Sequence, residues 1–348
     1  MKPGDFTYHE ITTQTEAWVE ALDVVERSRT DLTTLFSHHY SQVIFTGCGS
    51  TYYLSKAAAA LFQECTGRIA RAAPAGELLL NERTILPSNH VEPTLLIAIS
   101  RSGTTTETLR AVERFKTHHR GKVLVITNYA DRPLPQLADL SLIIEKGQEE
   151  SIAQTRSFAS MYVAAVATSL LAGEHHSERS AMYQLAEKGQ TLLSSYASLA
   201  QEIGENLNFD RFYFLGSGIR YGLACEANLK MKEMTLTHSE PFHFLEFRHG
   251  PMSMVGGHTV VVGLLSESNF PHEWAVLEEM QSLGARILSL ANRGDKVSIK
   301  FHSHLPELVY GVLYLPVLQL MAYYRALAKG LDPDRPTHLS AVVELDTL

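Results

Sequence analysis

The sequence is short of basic residues. Lys and Arg number 30 against 38 Asp and Glu, for a formal net charge of −8. A nucleic-acid partner needs a basic face, so this balance argues against one. It leaves room for a small anionic ligand, because a few local donors override a global sign. Cysteine is sparse as well: Cys48, Cys65 and Cys225 form no CxxC pair and no Cys/His ligand spacing. That fits a reducing compartment better than a disulfide framework, so the expected location is the cytoplasm. Long hydrophobic runs are missing too. Leu308 to Tyr324 carries no charge, but it is short for a membrane span and is interrupted by Pro316 and Gln319. The better reading is a buried strand or loop followed by a core helix. Met1 to Glu10 has no apolar core and is not expected to be a signal peptide.

Nucleotide-binding signatures are incomplete. No GxxxxGK[ST] occurs. Gly47-x-Gly49 lacks the third glycine of GxGxxG, with Tyr52 in its place. The strand expected around Arg68–Ala73 ends in Ala-Pro, without the acid that would bind a ribose. No cofactor is expected. No metal is expected either: His243, Glu246 and His249 match no standard zinc spacing.

What is present is a repeat. Phe45–Glu64 (FTGCGSTYYLSKAAAALFQE) aligns with Phe214–Glu233 (FLGSGIRYGLACEANLKMKE). Each is an apolar strand ending in Gly-x-Gly and running into a helix. Thr94–Ile99 (TLLIAI) resembles Thr259–Leu264 (TVVVGL), and Lys122–Asn128 (KVLVITN) resembles Arg286–Asn292 (RILSLAN). Three matches in one order imply two tandem copies of one α/β unit. A chain of 348 residues has room for about two domains of roughly 100–200 residues. Within each copy, short Val/Ile/Leu runs alternate with helical patterns, which predicts parallel sheets covered on both faces. The expected domains are residues 1–190, with an anion site, and 191–330, with an acid–base helix. A tail over 331–348 follows. The boundary falls within a mostly helical connector, Arg179–Asn208.

In open parallel sheets, ligands sit beyond the carboxyl ends of the strands, where helix N-termini point inward. Two such junctions stand out in the first copy. One is Gly47-Cys48-Gly49-Ser50-Thr51. The other, Ser100-Arg101-Ser102-Gly103-Thr104-Thr105, packs four hydroxyls, a guanidinium and a glycine into six residues. Hydroxyls, free N–H groups and a helix dipole together suit a phosphate. Helix capping needs only one hydroxyl, so it accounts for Ser50 as well as a ligand does but not for the whole cluster. The second copy reads Leu265-Ser266-Glu267-Ser268-Asn269 at the equivalent place. An acid has replaced donors there, so that copy is expected to have lost the site.

Glu226, Lys230 and Glu233, spaced i, i+4, i+7, share a helix face. They read either as an ordinary surface ion pair or as acid–base machinery. The stretch Ser239–Pro251 (SEPFHFLEFRHGP) is rich in His, Glu and aromatics and too irregular for a helix, as functional loops are. Aldose–ketose interconversion needs one proton carrier between C1 and C2, one group to open the ring and one cation or donor at the enediolate oxygen. One Glu, one His and one Lys suffice.

On these motifs the chain resembles the double-SIS-domain (sugar isomerase) family over nearly its whole length. That family includes the isomerase half of glucosamine-6-phosphate synthase, the tagatose-6-phosphate ketose/aldose isomerase group and the fructosamine-6-phosphate deglycases. The likeness rests on Cys48-Gly49-Ser50-Thr51-Tyr52, Ser100-x-Ser102-Gly103-x-Thr105, Glu149–Phe158, Lys230-x-x-Glu233 and Glu246-Phe247-Arg248-His249-Gly250-Pro251. It implies two tandem flavodoxin-like three-layer sandwiches with parallel sheets. By the same resemblance, Ser50, Thr51, Ser100, Arg101, Ser102 and Thr105 hold the phosphate, and Glu149 lines the sugar pocket. Glu233 is then the C1/C2 base, Lys230 stands beside it, and His249 opens the ring from a partner subunit, which implies a homodimer with a shared site.

The departures also carry meaning. The chain begins at the sugar module, so it is not expected to hydrolyse glutamine through an N-terminal domain. Pro336-Thr337-His338-Leu339-Ser340-Ala341 puts alanine where the synthase carries a lysine, which leaves His338 as the tail's alternative reach to the site. Arg101 replaces a common Gln and adds a permanent charge, which suits a dianion or a sulfonated sugar. The expected activity is phosphosugar ketose/aldose isomerisation. The alternatives are an amino-sugar-phosphate deaminase or fructosamine-phosphate deglycase, a non-catalytic sugar-phosphate-binding protein and an isomerase of a sulfonated sugar.

Overall fold

A computed structural model describes residues 2–87, 92–118, 121–342 and 345. The expected tail therefore lies partly outside the described residues, at 343, 344 and 346–348. The chain divides into two compact units that are interleaved in sequence. One, here the N-terminal unit, comprises Thr13–Glu149, Arg156–Tyr183 and Ser340–Leu348. The other, the C-terminal unit, comprises Met1–Thr12, Glu150–Thr155 and Gln184–Leu339. The first helix, α1 (Asp5–Arg27), starts in the C-terminal unit's segment and continues into the other's.

The N-terminal unit holds strands β1 (Gln42–Gly47), β2 (Ala70–Pro74), β3 (Thr94–Ser100), β4 (Gly121–Thr127) and β5 (Leu140–Ile143), in spatial order β2-β1-β3-β4-β5. All four pairings are parallel. Every residue of β3 is buried, as a continuous apolar run in a doubly covered sheet requires. Helix α2 (Ser50–Thr66) follows β1, and α3 (Thr106–His118) follows β3. On α3, Thr108, Ala111, Val112 and Phe115 form one buried stripe at helical spacing against Leu96, Ala98, Val123 and Val125. Helix α4 (Arg156–Ala172) is buried on all sides from Ser157 to Leu171.

The C-terminal unit repeats the plan. Its strands are β6 (Arg211–Gly216), β7 (His238–Phe242), β8 (Thr259–Leu264), β9 (Arg286–Ala291) and β10 (Ile299–Lys300), in order β10-β9-β8-β6-β7. Numbered within the unit, that is again 2-1-3-4-5, all parallel. Its helices are α5 (Leu185–Glu205), α6 (Ile219–Thr235), α7 (Phe270–Ser282) and α8 (Leu315–Ala328). The uncharged stretch 308–324 becomes a buried 3-10 turn, Tyr310–Tyr314, leading into α8, with Pro316 in the first turn where its missing N–H does no harm. Among the described residues, no helix is long and apolar enough to cross a membrane.

The repeat extends to backbone angles. Gly49 has φ 54° and ψ −124°, and Gly218 has φ 56° and ψ −127°, each just before its helix. L side chains rarely adopt that conformation. A Cβ on Gly47 would stand 2.8 Å from the Ile99 carbonyl oxygen, and one on Gly216 2.5 Å from that of Arg220. Both glycines of each pair are therefore needed, one for its angle and one for its space.

Candidate active site

In the N-terminal unit, strand order reverses between β1 and β3, so their carboxyl ends border the crevice where such sheets take ligands. The two hydroxyl-rich turns meet there. Cys48 Sγ lies 3.6 Å from Thr108 Oγ1, linking the first turn to α3. Thr51 Oγ1 donates to the Cys48 carbonyl at 2.9 Å and accepts the Cys48 N–H at 3.0 Å, which holds the turn tight. Thr51 and Ser50 are both buried.

The second turn is organised by its own hydroxyls. The Gly103 N–H donates to Ser100 Oγ at 3.2 Å, and the Thr104 N–H and hydroxyl donate to Ser102 Oγ at 3.2 and 3.1 Å. Ser102 Oγ is 3.5 Å from Thr105 Oγ1. Gly103 has φ 66°, and a Cβ there would meet Arg132 at 2.9 Å. Ser100 is buried, while Ser102, Thr104 and Thr105 are partly open. The cradle thus presents hydroxyls from two adjacent strand ends at the start of α3.

Arg101 is engaged within this unit. It is 7 % exposed. Its guanidinium lies 3.7 Å from Glu149 Oε2 and donates to the Ala341 carbonyl at 3.0 Å. The Glu149 carboxylate also accepts the Ser157 hydroxyl. The extra charge expected at Arg101 is therefore shared with a buried carboxylate and does not stand alone. Alanine at 341 offers only its carbonyl, and His338 is exposed with φ 62°.

A Ser102→Ala variant should bind a phosphorylated sugar about 10–100-fold more weakly, since a hydrogen bond to a charged group contributes about 1.5–3 kcal/mol. Binding of the unphosphorylated sugar should be unchanged. Parallel titrations with both ligands check this, and an equal loss for both would remove the cradle as the anion site.

In the C-terminal unit, α6 is buried around most of its circumference, with Leu223, Ala224, Cys225, Ala227 and Met231 all inside. Glu226 is 1 % exposed and Lys230 2 % exposed, so the reading as a surface ion pair is excluded. Lys230 Nζ donates to Glu233 Oε2 at 2.5 Å and lies 3.3 Å from Glu226 Oε1. Burial alone would pull the ammonium's pKa down. Glu226 and Glu233 outweigh it, and the net shift is upward from the ordinary 10.5. Lys230 is a fixed cation, and the Glu233 side chain, 20 % exposed, is the member that reaches solvent.

The stretch after β7 is two short 3-10 turns, Glu246–Arg248 and Pro251–Met254, and is not a helix. It is pinned at three points. The Phe244 N–H donates to Ser217 Oγ of the Gly-Ser-Gly turn at 3.3 Å. Phe247 is buried 4.9 Å from the Tyr213 ring, and Arg248 Nε donates to Glu279 at 2.6 Å. His249 projects exposed from this rigid base, and Gly250 follows at φ 123°. His243 stacks on Tyr221 at 3.8 Å.

The equivalent of the hydroxyl cradle has been rebuilt around carboxylates. The Ser266 N–H and hydroxyl donate to Glu273 Oε2 at 2.6 and 3.0 Å, and the Glu267 N–H donates to Glu307 Oε1 at 2.9 Å. Sequence reasoning singled out Glu267 but missed Glu273, Glu307 and Arg220. Glu273 and Glu307 are single residues outside any motif, and Arg220 stands in the repeat where the first copy has Thr51.

The fold and the two turn systems together define a protein built of two α/β sugar-isomerase-type sandwiches. The SIS domain family matches residues 36–171 and 208–324, and the chain belongs to that family. It is 28 % identical over 324 residues to a glutamine–fructose-6-phosphate aminotransferase (isomerizing) of Thermococcus kodakarensis, covering 88 % of this chain and 53 % of the relative. The chain spans about half the length of the relatives it matches. Among solved structures, a glucosamine-6-phosphate deaminase of Thermotoga maritima superposes with a TM-score of 0.78 at 27 % identity, covering 98 % of this chain and 100 % of the other. A tagatose-6-phosphate ketose/aldose isomerase of Escherichia coli superposes with a TM-score of 0.86 at 24 % identity, covering 97 % and 98 %, which speaks to the fold alone.

Proposed function

We propose that this protein is a cytoplasmic ketose/aldose isomerase of a sugar phosphate, moving a proton between C1 and C2 through an enediol. The observation that carries this reading is the buried Glu226–Lys230–Glu233 cluster, whose accessible end is a carboxylate held by a permanent cation. In this reading Ser50, Thr51, Ser100, Ser102 and Thr105 take the phosphate, and Arg101, its charge shared with Glu149, holds that carboxylate at the sugar pocket. Glu233 removes a proton from one carbon and returns it to the other. Lys230 holds that carboxylate and favours negative charge on the enediolate oxygen. His249 opens the ring. A panel of phosphorylated, amino and sulfonated hexoses, followed for aldose–ketose interconversion, tests the reading. Interconversion of at least one phosphorylated member supports it, and interconversion of none rejects it.

The likeness to a glucosamine-6-phosphate deaminase at 27 % identity favours one second reading, loss of an amine from an amino-sugar phosphate by the same base and an enediol-like intermediate. Ammonia release in the same panel separates the two.

Exposure of His249 on a rigid turn fits delivery to a neighbouring copy, so the proposal includes a homodimer with shared sites. Glu233→Gln and His249→Ala should each be nearly inactive. Unfolded and refolded together, they should form mixed dimers in which one site regains both groups, and activity should partly return. Mixed dimers verified by differential tags yet still inactive would show that His249 acts within its own chain.

A further inference from the structure

The carboxylate-rich turn of the C-terminal unit has the geometry of an anion receptor that is already filled. It lies at the switch point between β6 and β8, equivalent to the cradle between β1 and β3. Arg220, on the first turn of α6, is 8 % exposed and sits in the repeat where Thr51 sits in the first copy. Its Nε donates to Tyr314 Oη at 3.0 Å, and Tyr314 in turn donates to the Leu265 carbonyl at 2.5 Å. These bonds orient the guanidinium toward the loop. Glu307 Oε1 accepts from Arg220 Nη2 and, at 2.9 Å, from the Glu267 N–H. One guanidinium N–H and a backbone N–H converging on one oxygen are what a phosphate or sulfate oxygen would receive. Beside the loop lies a cavity of about 280 Å³ lined by Ser266, Glu267, Phe270, Ala291, Arg293 and Gly294, with room for the organic part of an ester.

We propose that the C-terminal unit retains a latent site for a small oxyanion or phosphate ester, built from Arg220 and the Glu267 N–H, which the chain's own Glu307 carboxylate occupies. A tethered carboxylate competes at an effective concentration on the order of millimolar or above. Dilute external anions therefore do not displace it, and an incoming phosphate meets the hydroxyl cradle of the wild-type chain instead. The asymmetry between the two copies then comes from an internal ligand and not from loss of the receptor.

Removing Glu307 should open the site. Glu307→Ala should melt lower than wild type in chloride buffer, because buried Arg220 loses the carboxylate hydrogen-bonded to it. Inorganic phosphate at about 100-fold over its Kd should raise that variant's melting temperature by about 5 °C more than it raises wild type. Calorimetry should count one more phosphate per chain in the variant. Glu307→Gln, which keeps the shape, should respond in the same direction and serves if the alanine variant fails to fold. Adding Arg220→Met to either variant should abolish the extra response. Every protein in the comparison carries the same Ser100–Thr105 turn, so binding there cancels and the outcome does not depend on the reaction proposed above. Glu307 variants that respond to phosphate no more than wild type, or that keep the response without Arg220, overturn the proposal.

Discussion

Replacing Glu233 with Gln is expected to lower turnover by about 10²–10⁴-fold while substrate affinity is largely kept. The side chain keeps its shape and its place beside Lys230, but it can no longer accept a proton from carbon. The lesion should therefore fall on kcat and leave KM nearly unchanged. Steady-state kinetics with the sugar phosphate found in the panel check this. Unchanged kcat would move the base elsewhere, and a rise in KM alone would make Glu233 a binding group.

Lys230→Met should be nearly as damaging to activity and far more damaging to the fold. Lys230 is 2 % exposed and stands between two carboxylates, one of them 1 % exposed. Taking away one partner of a buried charge cluster costs about 3–5 kcal/mol, because the remaining charges stay buried and uncompensated. The pH dependence follows from the direction of the shift. The folded-state pKa of Lys230 is raised above the ordinary 10.5, so the native chain holds that proton more tightly than the unfolded one. The stability it contributes is fully present below 10.5 and is lost as pH rises through the folded-state value. Chemical denaturation should show a wild-type advantage over Lys230→Met that is flat from about pH 7 to pH 10 and shrinks beyond 10.5. An advantage that shrinks as pH rises from 7 to 10 would mean that Lys230 deprotonates near neutrality.

Much of this architecture could be read from the chain because the features that carry it are local. The Gly-x-Gly turns repeat because two backbones need the same left-handed glycine, Gly49 and Gly218, and the same close approach at Gly47 and Gly216. The hydroxyl cradle lies within one turn, so Ser100 to Thr105 announce it in sequence. The i, i+4, i+7 spacing put Glu226, Lys230 and Glu233 on one face, but spacing does not tell a solvated face from a buried one. Leu223, Ala224, Cys225 and Met231 around the rest of α6 are buried as well, so the helix is enclosed by its neighbours and the charges are left to neutralise one another.

What the chain concealed is long-range pairing. Arg101 meets the Ala341 carbonyl across 240 positions, and Arg220 meets Glu307 across 87 and Tyr314 across 94. No periodicity marks such partners, because a lone Glu in a loop has no local reason to be there. Even the shorter link from Ser157 to Glu149 joins a loop to the start of a helix, where neither propensity nor spacing specifies the contact.

The central claim is proton transfer at carbon by Glu233, and solvent isotope exchange tests it most directly. The wild-type protein and the Glu233→Gln variant are incubated in heavy water with the phosphorylated hexose that the panel selects, and C1 and C2 are followed by NMR. Deuterium should appear at C1 or C2 with wild type, in step with aldose–ketose interconversion, and should be slowed at least 100-fold in the variant. Exchange or interconversion that proceeds normally in Glu233→Gln would contradict the account.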